Sequence, residues 1–176
     1  MAKLTREELI QRLKKIKLLA FDVDGVLTDD SIYFGPDSLE LKRFNISDGL
    51  FMVLAMRQGL KIAIVSGRYS PATTTRMKDL GIPYVLQGMK DKVEMLTPLL
   101  EELHLSFDDV AFIGNEILDI KLAKKVALGI AVADANSQLI EVADYVTQKG
   151  GGQGAAREII EYYFEAVNQD PKSFLV

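Results

Sequence analysis

The sequence predicts an α/β protein: a doubly wound parallel sheet in a three-layer αβα sandwich, with a small β-hairpin insertion. Three observations carry that expectation. Short apolar runs recur along the chain, namely KLLAFDV, KIAIVSG, IPYVLQG, DVAFIGN, LGIAVA and ADYVT. Segments with helical periodicity separate them, and such βαβα alternation favours a parallel sheet. Polar residues gather where four of the runs end, which is where sheets of this type bind ligands.

The elements are justified in chain order. Thr5 and Glu8 have capping-box spacing, so residues 5–15 are expected to form an amphipathic helix. Further helices are expected at 48–58, 71–80, 90–104, 116–126, 136–141 and 153–167. Residues 29–46, DDSIYFGPDSLELKRFNI, break the alternation, and Gly35-Pro36-Asp37 is a turn signal between two arms, which predicts the hairpin. GGGQG at 150–154 reads as the one flexible stretch, just before the last helix. With no repeat, low-complexity tract or linker, residues 1–176 are expected to be one domain.

Composition narrows the function. A chain of 176 residues, 48% hydrophobic and 26% charged, has the makeup of a globular domain with a full core. A net charge of -4 argues against a general nucleic-acid binder. The absence of cysteine excludes disulfides, thiol catalysis and thiolate metal sites. The apolar runs are too short to span a membrane, and MAKLTREELIQRLKKI lacks a signal-peptide core. The expected setting is the cytoplasm, with neither nucleic acid nor membrane as partner.

The polar strand ends point to one chemistry. Asp22 and Asp24 close the first run and are followed by Gly25 and Thr28. Two like charges at the edge of a core are costly unless a cation lies between them. Ser66-Gly67-Arg68 closes KIAIVSGR, Lys92 opens the helix after IPYVLQG, and Gly114-Asn115-Glu116 precedes Asp119. Together they offer carboxylates for a hard cation, a hydroxyl and backbone N–H groups for an anion, and an ammonium. That inventory suits phosphoryl transfer around Mg²⁺.

In order and content, these motifs resemble those of the haloacid dehalogenase superfamily of phosphatases, over residues 17–165. The resemblance implies Asp22 as the nucleophile that takes the phosphoryl group. It implies Asp24 as the acid that protonates the leaving alkoxide and then the base that activates water. Ser66 would hold a phosphate oxygen with Gly67 and Arg68 beside it, and Lys92 would neutralise the nucleophile. Mg²⁺ would lie between Asp22, the backbone carbonyl of Asp24, and Asn115. The fourth motif departs from the family's Gly-Asp-Asp: Asn115 offers a carbonyl oxygen without charge, so weaker metal binding is expected, with Glu116 or Asp119 as candidates to supply the missing charge. The spacing between motifs also leaves no room for the cap domain many members carry, and a bare site admits water, so closure by another subunit is expected.

The hairpin followed by LKRFNISDGL, and GGGQGAAREIIEYY near the C-terminus, resemble the capless family of 3-deoxy-D-manno-octulosonate 8-phosphate phosphatases. That family implies a homotetramer assembled by the hairpins, C-terminal segments that help close neighbouring sites, and a phosphorylated sugar acid as substrate in lipopolysaccharide precursor synthesis. Such a substrate carries a carboxylate as well as a phosphate. Arg68 is the expected cation for it, with Lys42, Arg43 and Arg157 as further candidates behind it, each read individually more as a solvated or interface charge than as a substrate ligand. An N-acylneuraminate-9-phosphatase, a broad sugar phosphatase and a non-catalytic interaction protein retaining the fold stand as alternatives. Intact Asp22, Asp24, Ser66 and Lys92 favour an enzyme over the last.

Overall fold

A computed structural model describes residues 2–175. The chain runs α1 (Arg6–Leu13), β1 (Leu18–Phe21), β2 (Tyr33–Phe34), β3 (Glu40–Leu41), α2 (Ile46–Gln58), β4 (Lys61–Ser66), α3 (Pro71–Asp79) and β5 (Tyr84–Gln87). It continues through α4 (Lys92–Glu102), β6 (Val110–Gly114), α5 (Ile120–Ala123), β7 (Leu128–Ala131), α6 (Ser137–Val142), β8 (Tyr145–Val146) and α7 (Ala155–Ala166). The main sheet is parallel throughout, in the order β5-β4-β1-β6-β7-β8. Strand β1 is central, pairing Phe21 with Ile64 of β4 and with Ile113 of β6. From β1 the chain builds outward to β5, then crosses back to build through β6 to β8. The switch between β1 and β6 therefore opens a crevice at their carboxyl ends.

Alternation along β1 explains the layering, because successive side chains of a strand face opposite sides. Leu19 and Phe21 join a core with residues of α1, α2 and α7, among them Leu9, Met52 and Phe164. Leu18 and Ala20 join a second core with Leu96 and Leu100 of α4, Leu122 of α5 and Leu139 of α6. Both faces are covered, so the strands are apolar on both sides.

The helix ends obey their local signals with adjustments. The Thr5–Glu8 capping box forms, but α1 stops at Leu13 rather than running to 15. The helix expected over 116–126 resolves into a 3-10 turn, Ile117–Asp119, and the single turn of α5. The side chain of Asp119 accepts the N–H groups of Asn115 and Glu116, which bends the chain sharply at its start. The hairpin is present but slight: Tyr33 pairs with Leu41 and Phe34 with Glu40, and a single bridge joins Thr28 to Phe44.

The glycine stretch differs from its expected flexibility. Gly150, Gly151 and Gly152 are buried, the first against Asp134 and the other two wedged against the loop after β1. A Cβ on Gly151 would lie 2.0 Å from the carbonyl oxygen of Gly25, so only glycine fits there. The N–H of Gly152 donates to the carbonyl of Val26 (2.9 Å), that of Gly151 to Asp134 (2.9 Å), and Asn45 Nδ2 to the carbonyl of Gly152 (3.3 Å). Helix α7 then begins at Gly154, which has no capping side chain, and Asp48 of α2 serves instead by accepting the N–H of Arg157 at 2.7 Å. The segment packs within its own chain because its amides find partners there.

Candidate active site

The site is built at the carboxyl end of β1. Asp22 continues the strand by donating its N–H to the carbonyl of Ile113 (3.0 Å), and its Oδ1 accepts the N–H of Val23 (2.7 Å). The chain then turns tightly, with the carbonyl of Val23 accepting from the amides of Val26, Leu27 and Thr28. Gly25 has φ +75°, and a Cβ there would strike the amide of Asn115 at 1.9 Å, two reasons for glycine at that position.

Lys92 is the first residue of α4, where the helix dipole disfavours a cation. Two carboxylates compensate: Nζ lies 2.9 Å from Asp22 Oδ2 and donates to Asp119 Oδ1. All three groups are buried. Burial pushes the Asp22 carboxyl up to about 7; the Lys92 ammonium opposes that and Asp119 adds to it. The other oxygen of Asp119 holds the amides of Asn115 and Glu116.

That arrangement corrects one expectation. Asp119 is engaged by Lys92 and the backbone, so it does not stand as a replacement charge at the metal position. Glu116 is exposed and accepts from the N–H of Ile117 and, at 3.3 Å, from Asn136 Nδ2. Asn115 itself is buried, and its Oδ1 has no hydrogen-bond partner among the described residues. A buried amide oxygen without a donor is uncommon. On the strand beside that of Asp22, it suits a hard cation that takes oxygen ligands. No trio of His, Cys, Asp or Glu side chains with metal-ligand placement occurs among the described residues. The expected set of one carboxylate, one main-chain carbonyl and one amide is compatible with that, and the residues present fit Mg²⁺.

On the other flank, Ser66 is buried at the end of β4 and its Oγ donates to the carbonyl of Arg68 (3.0 Å), across Gly67. The side chain of Arg68 is partly open, but Glu40 of β3 accepts from both its terminal nitrogens at 2.5 and 3.2 Å. Glu40 also accepts from Ser70 Oγ (2.6 Å), and these donors, Arg68 first, hold its carboxyl down at about 2. Arg68 Nε lies 3.4 Å from Asp24 Oδ2.

Lys42 overturns its reading as a solvated or interface charge. Its side chain is wholly buried, and its ammonium donates to Asp24 Oδ1. Glu40 was missed as a site residue, and Lys42 was considered for the substrate carboxylate but not as a partner of Asp24. The signal was available: in LELK the charged residues alternate with leucines, so both face one side of the arm. Nothing local, however, said that this side meets Asp24. Arg157 lies outside the site, pairing with Glu161 (2.8 Å) and stacking over Phe51. The weak contact of Arg43 with Asp29 (3.5 Å) is exposed.

This αβα sandwich, with its two aspartates after the central strand and a lysine behind them, defines a haloacid dehalogenase-like hydrolase. A model of that family, described as haloacid dehalogenase-like hydrolase, matches residues 83–159. The chain is 40% identical over 154 residues to the 3-deoxy-D-manno-octulosonate 8-phosphate phosphatase KdsC of Escherichia coli K12, covering 88% of this chain and 82% of that one. It superposes with a TM-score of 0.87 and 38% identity on the phosphatase of that name from Moraxella catarrhalis, solved with magnesium ion, phosphate ion and KDO, covering 91% and 92% of the two chains. The cobalt-bound Haemophilus influenzae phosphatase gives 0.85 at 32% identity, covering 90% and 92%. The chain belongs to the 3-deoxy-D-manno-octulosonate 8-phosphate phosphatase family.

Proposed function

We propose that residues 1–176 form one Mg²⁺-dependent phosphatase domain that hydrolyses 3-deoxy-D-manno-octulosonate 8-phosphate to the free sugar acid and inorganic phosphate. The observation that carries the reading is the buried Asp22–Lys92 pair beside the unpartnered oxygen of Asn115. The names and bound species of relatives at 38–40% identity supply the substrate class.

The side chains account for the chemistry. A carboxylate oxygen of Asp22 attacks phosphorus, the bond to the ester oxygen breaks, and Asp24 gives its proton to the departing alkoxide. Asp24, now ionised, takes a proton from water as that water attacks phosphorus. The bond to Asp22 breaks, and phosphate and the free carboxylate are regenerated. Lys92 keeps the Asp22 charge compensated within a buried pocket. Ser66 and the amide of Gly67 would hold a phosphate oxygen, and Arg68 would meet the sugar-acid carboxylate by exchanging Glu40 for it. Asp22, the carbonyl of Asp24 and Asn115 would hold Mg²⁺, which when bound supplies charge that offsets the phosphoryl oxygens.

A homotetramer assembled through the hairpin, working in the cytoplasm, belongs to the same reading. Exposed Tyr33, Phe34, Leu39 and Leu41 support the assembly. No helix among the described residues is long and apolar enough to cross a membrane.

Phosphate release in Mg²⁺ from a substrate panel tests the proposal. The eight-carbon sugar-acid phosphate should exceed N-acylneuraminate 9-phosphate and 4-nitrophenyl phosphate in kcat/KM by at least about 10-fold, the scale of a few specific contacts. Equal values across the panel would make the protein a broad sugar phosphatase. No turnover of any of them would leave a non-catalytic protein with this fold.

A further inference from the structure

Lys42 lies in no strand-end motif, yet its fully buried ammonium contacts the carboxylate of Asp24. We infer that Lys42 is a positioning residue for Asp24, reaching from the hairpin's return arm to hold one carboxylate oxygen so that the other faces the substrate. The inference rests on the reading of Asp24 as acid and base.

Three observations support it. Asp24 lies beyond β1 in an irregular turn, and no backbone N–H donates to its side chain among the described residues, unlike Asp22, whose Oδ1 takes the amide of Val23. Its orientation therefore depends on cations. Of the two within reach, Arg68 is already bound through both terminal nitrogens to Glu40 and stands 3.4 Å from Oδ2, a long contact, whereas Lys42 hydrogen-bonds Oδ1 directly. The Asp24 side chain also keeps 26% of its surface open while that of Lys42 keeps none. The pair thus has one end locked in protein and one end presented to the cleft.

Stability is a poor explanation for the pair. Removing an ammonium from water is expensive, and a buried pair seldom returns more than that cost. Orientation is the better one. A group that gives a proton to the leaving oxygen and later takes one from water must present the same oxygen twice, and a misplacement of about 1 Å in such a group can lower rates about 10²-fold. The return arm supports both cations beside Asp24, since Glu40 holds Arg68 and, two residues on along the same face, Lys42 holds Asp24.

The test is a double-mutant cycle read on two leaving groups. Lys42→Met, Asp24→Asn and the double variant are compared by kcat/KM, which reports only the steps up to departure of the alcohol. The substrates are the sugar-acid phosphate, whose alkoxide needs a proton, and 4-nitrophenyl phosphate, whose phenolate needs little. Lys42→Met should lower kcat/KM for the sugar phosphate about 10²-fold and for the aryl phosphate several-fold less. In the Asp24→Asn background it should add nothing, because a residue acting through Asp24 has no further effect once that acid is gone. Lys42→Arg, which keeps a cation at a shifted place, should show the same substrate-dependent loss at smaller size. It decides the matter alone if Lys42→Met does not fold. Equal losses on both substrates, no loss, or full additivity with Asp24→Asn would overturn the inference and leave Lys42 a packing residue. If Asp24→Asn itself shows no leaving-group dependence, the acid–base reading fails, and the inference with it.

Discussion

Asp22 and Lys92 share a pocket almost closed to water, where Lys92 compensates the charges of both Asp22 and Asp119. Replacing Asp22 by asparagine removes the proposed attacking oxygen while keeping the shape, and Lys92 retains Asp119 as partner. Asp22→Asn should therefore fold and melt close to the wild type but lose turnover by on the order of 10⁴-fold or more, as enzymes do when a nucleophile is removed. Steady-state kinetics beside a melting curve checks both halves. Asn115 poses the opposite case, a neutral side chain where relatives of the superfamily carry a charge. Asn115→Asp should lower the half-saturating Mg²⁺ concentration by about 10-fold, since ligand charge tunes affinity for hard cations. It should also enlarge the rise in melting temperature that Mg²⁺ produces. An unchanged thermal shift would place residue 115 outside the metal's ligands.

At the scale of elements, the segment before α7 acts as a wedge beneath the loop that carries Asp22 and Asp24. Its amides are held by Asp134 and by the carbonyl of Val26, while Asn45 and Asp48 anchor the turn into α7 from the start of α2. Burial pushes the Asp48 carboxyl up to about 6, against the pull of the amides at the start of α7. Gly151→Ala would drive a methyl into the carbonyl of Gly25, so the loop carrying Asp22 and Asp24 must move. The expected result is a loss in kcat/KM of about 10²-fold for sugar and aryl phosphates alike, because the proposed nucleophile itself shifts. Gln153→Ala, at an exposed site two residues on, should leave kinetics unchanged. A normal rate in folded Gly151→Ala would show that the wedge does not support the loop.

For the whole molecule, the hairpin is the element least able to stand alone. Two strands of two residues each bury little, and Phe34 is 71% exposed. Exposed apolar side chains on one projection are the surface that the proposed tetramer would bury. On that proposal, replacing Phe34 and Leu39 together by serine should reduce the mass measured by light scattering from that of a tetramer toward that of a single chain. The sugar-acid phosphate should then lose more kcat/KM than the aryl phosphate, since Glu40 and Lys42 sit on the same arm and a capless site needs closure against water. A particle of unchanged mass would move the interface elsewhere.

Short-range signals carried much of the fold and the site. The apolar runs placed every strand of the main sheet because burial on both faces writes itself as continuous hydrophobicity. Thr5 and Glu8 marked the start of α1 through contacts three residues apart, and Asp22, Asp24, Ser66 and Lys92 stood out as candidates because strand ends in such a sheet converge. Three things were decided only by tertiary structure. Asp119 turned out to belong to Lys92, Gly151 to Gly25, and Lys42 to Asp24. Each joins segments distant in the chain, and no local pattern says which carboxylate a lysine will meet once both are buried. Periodicity reports that a residue is inside or outside; its partner is set by how the layers pack.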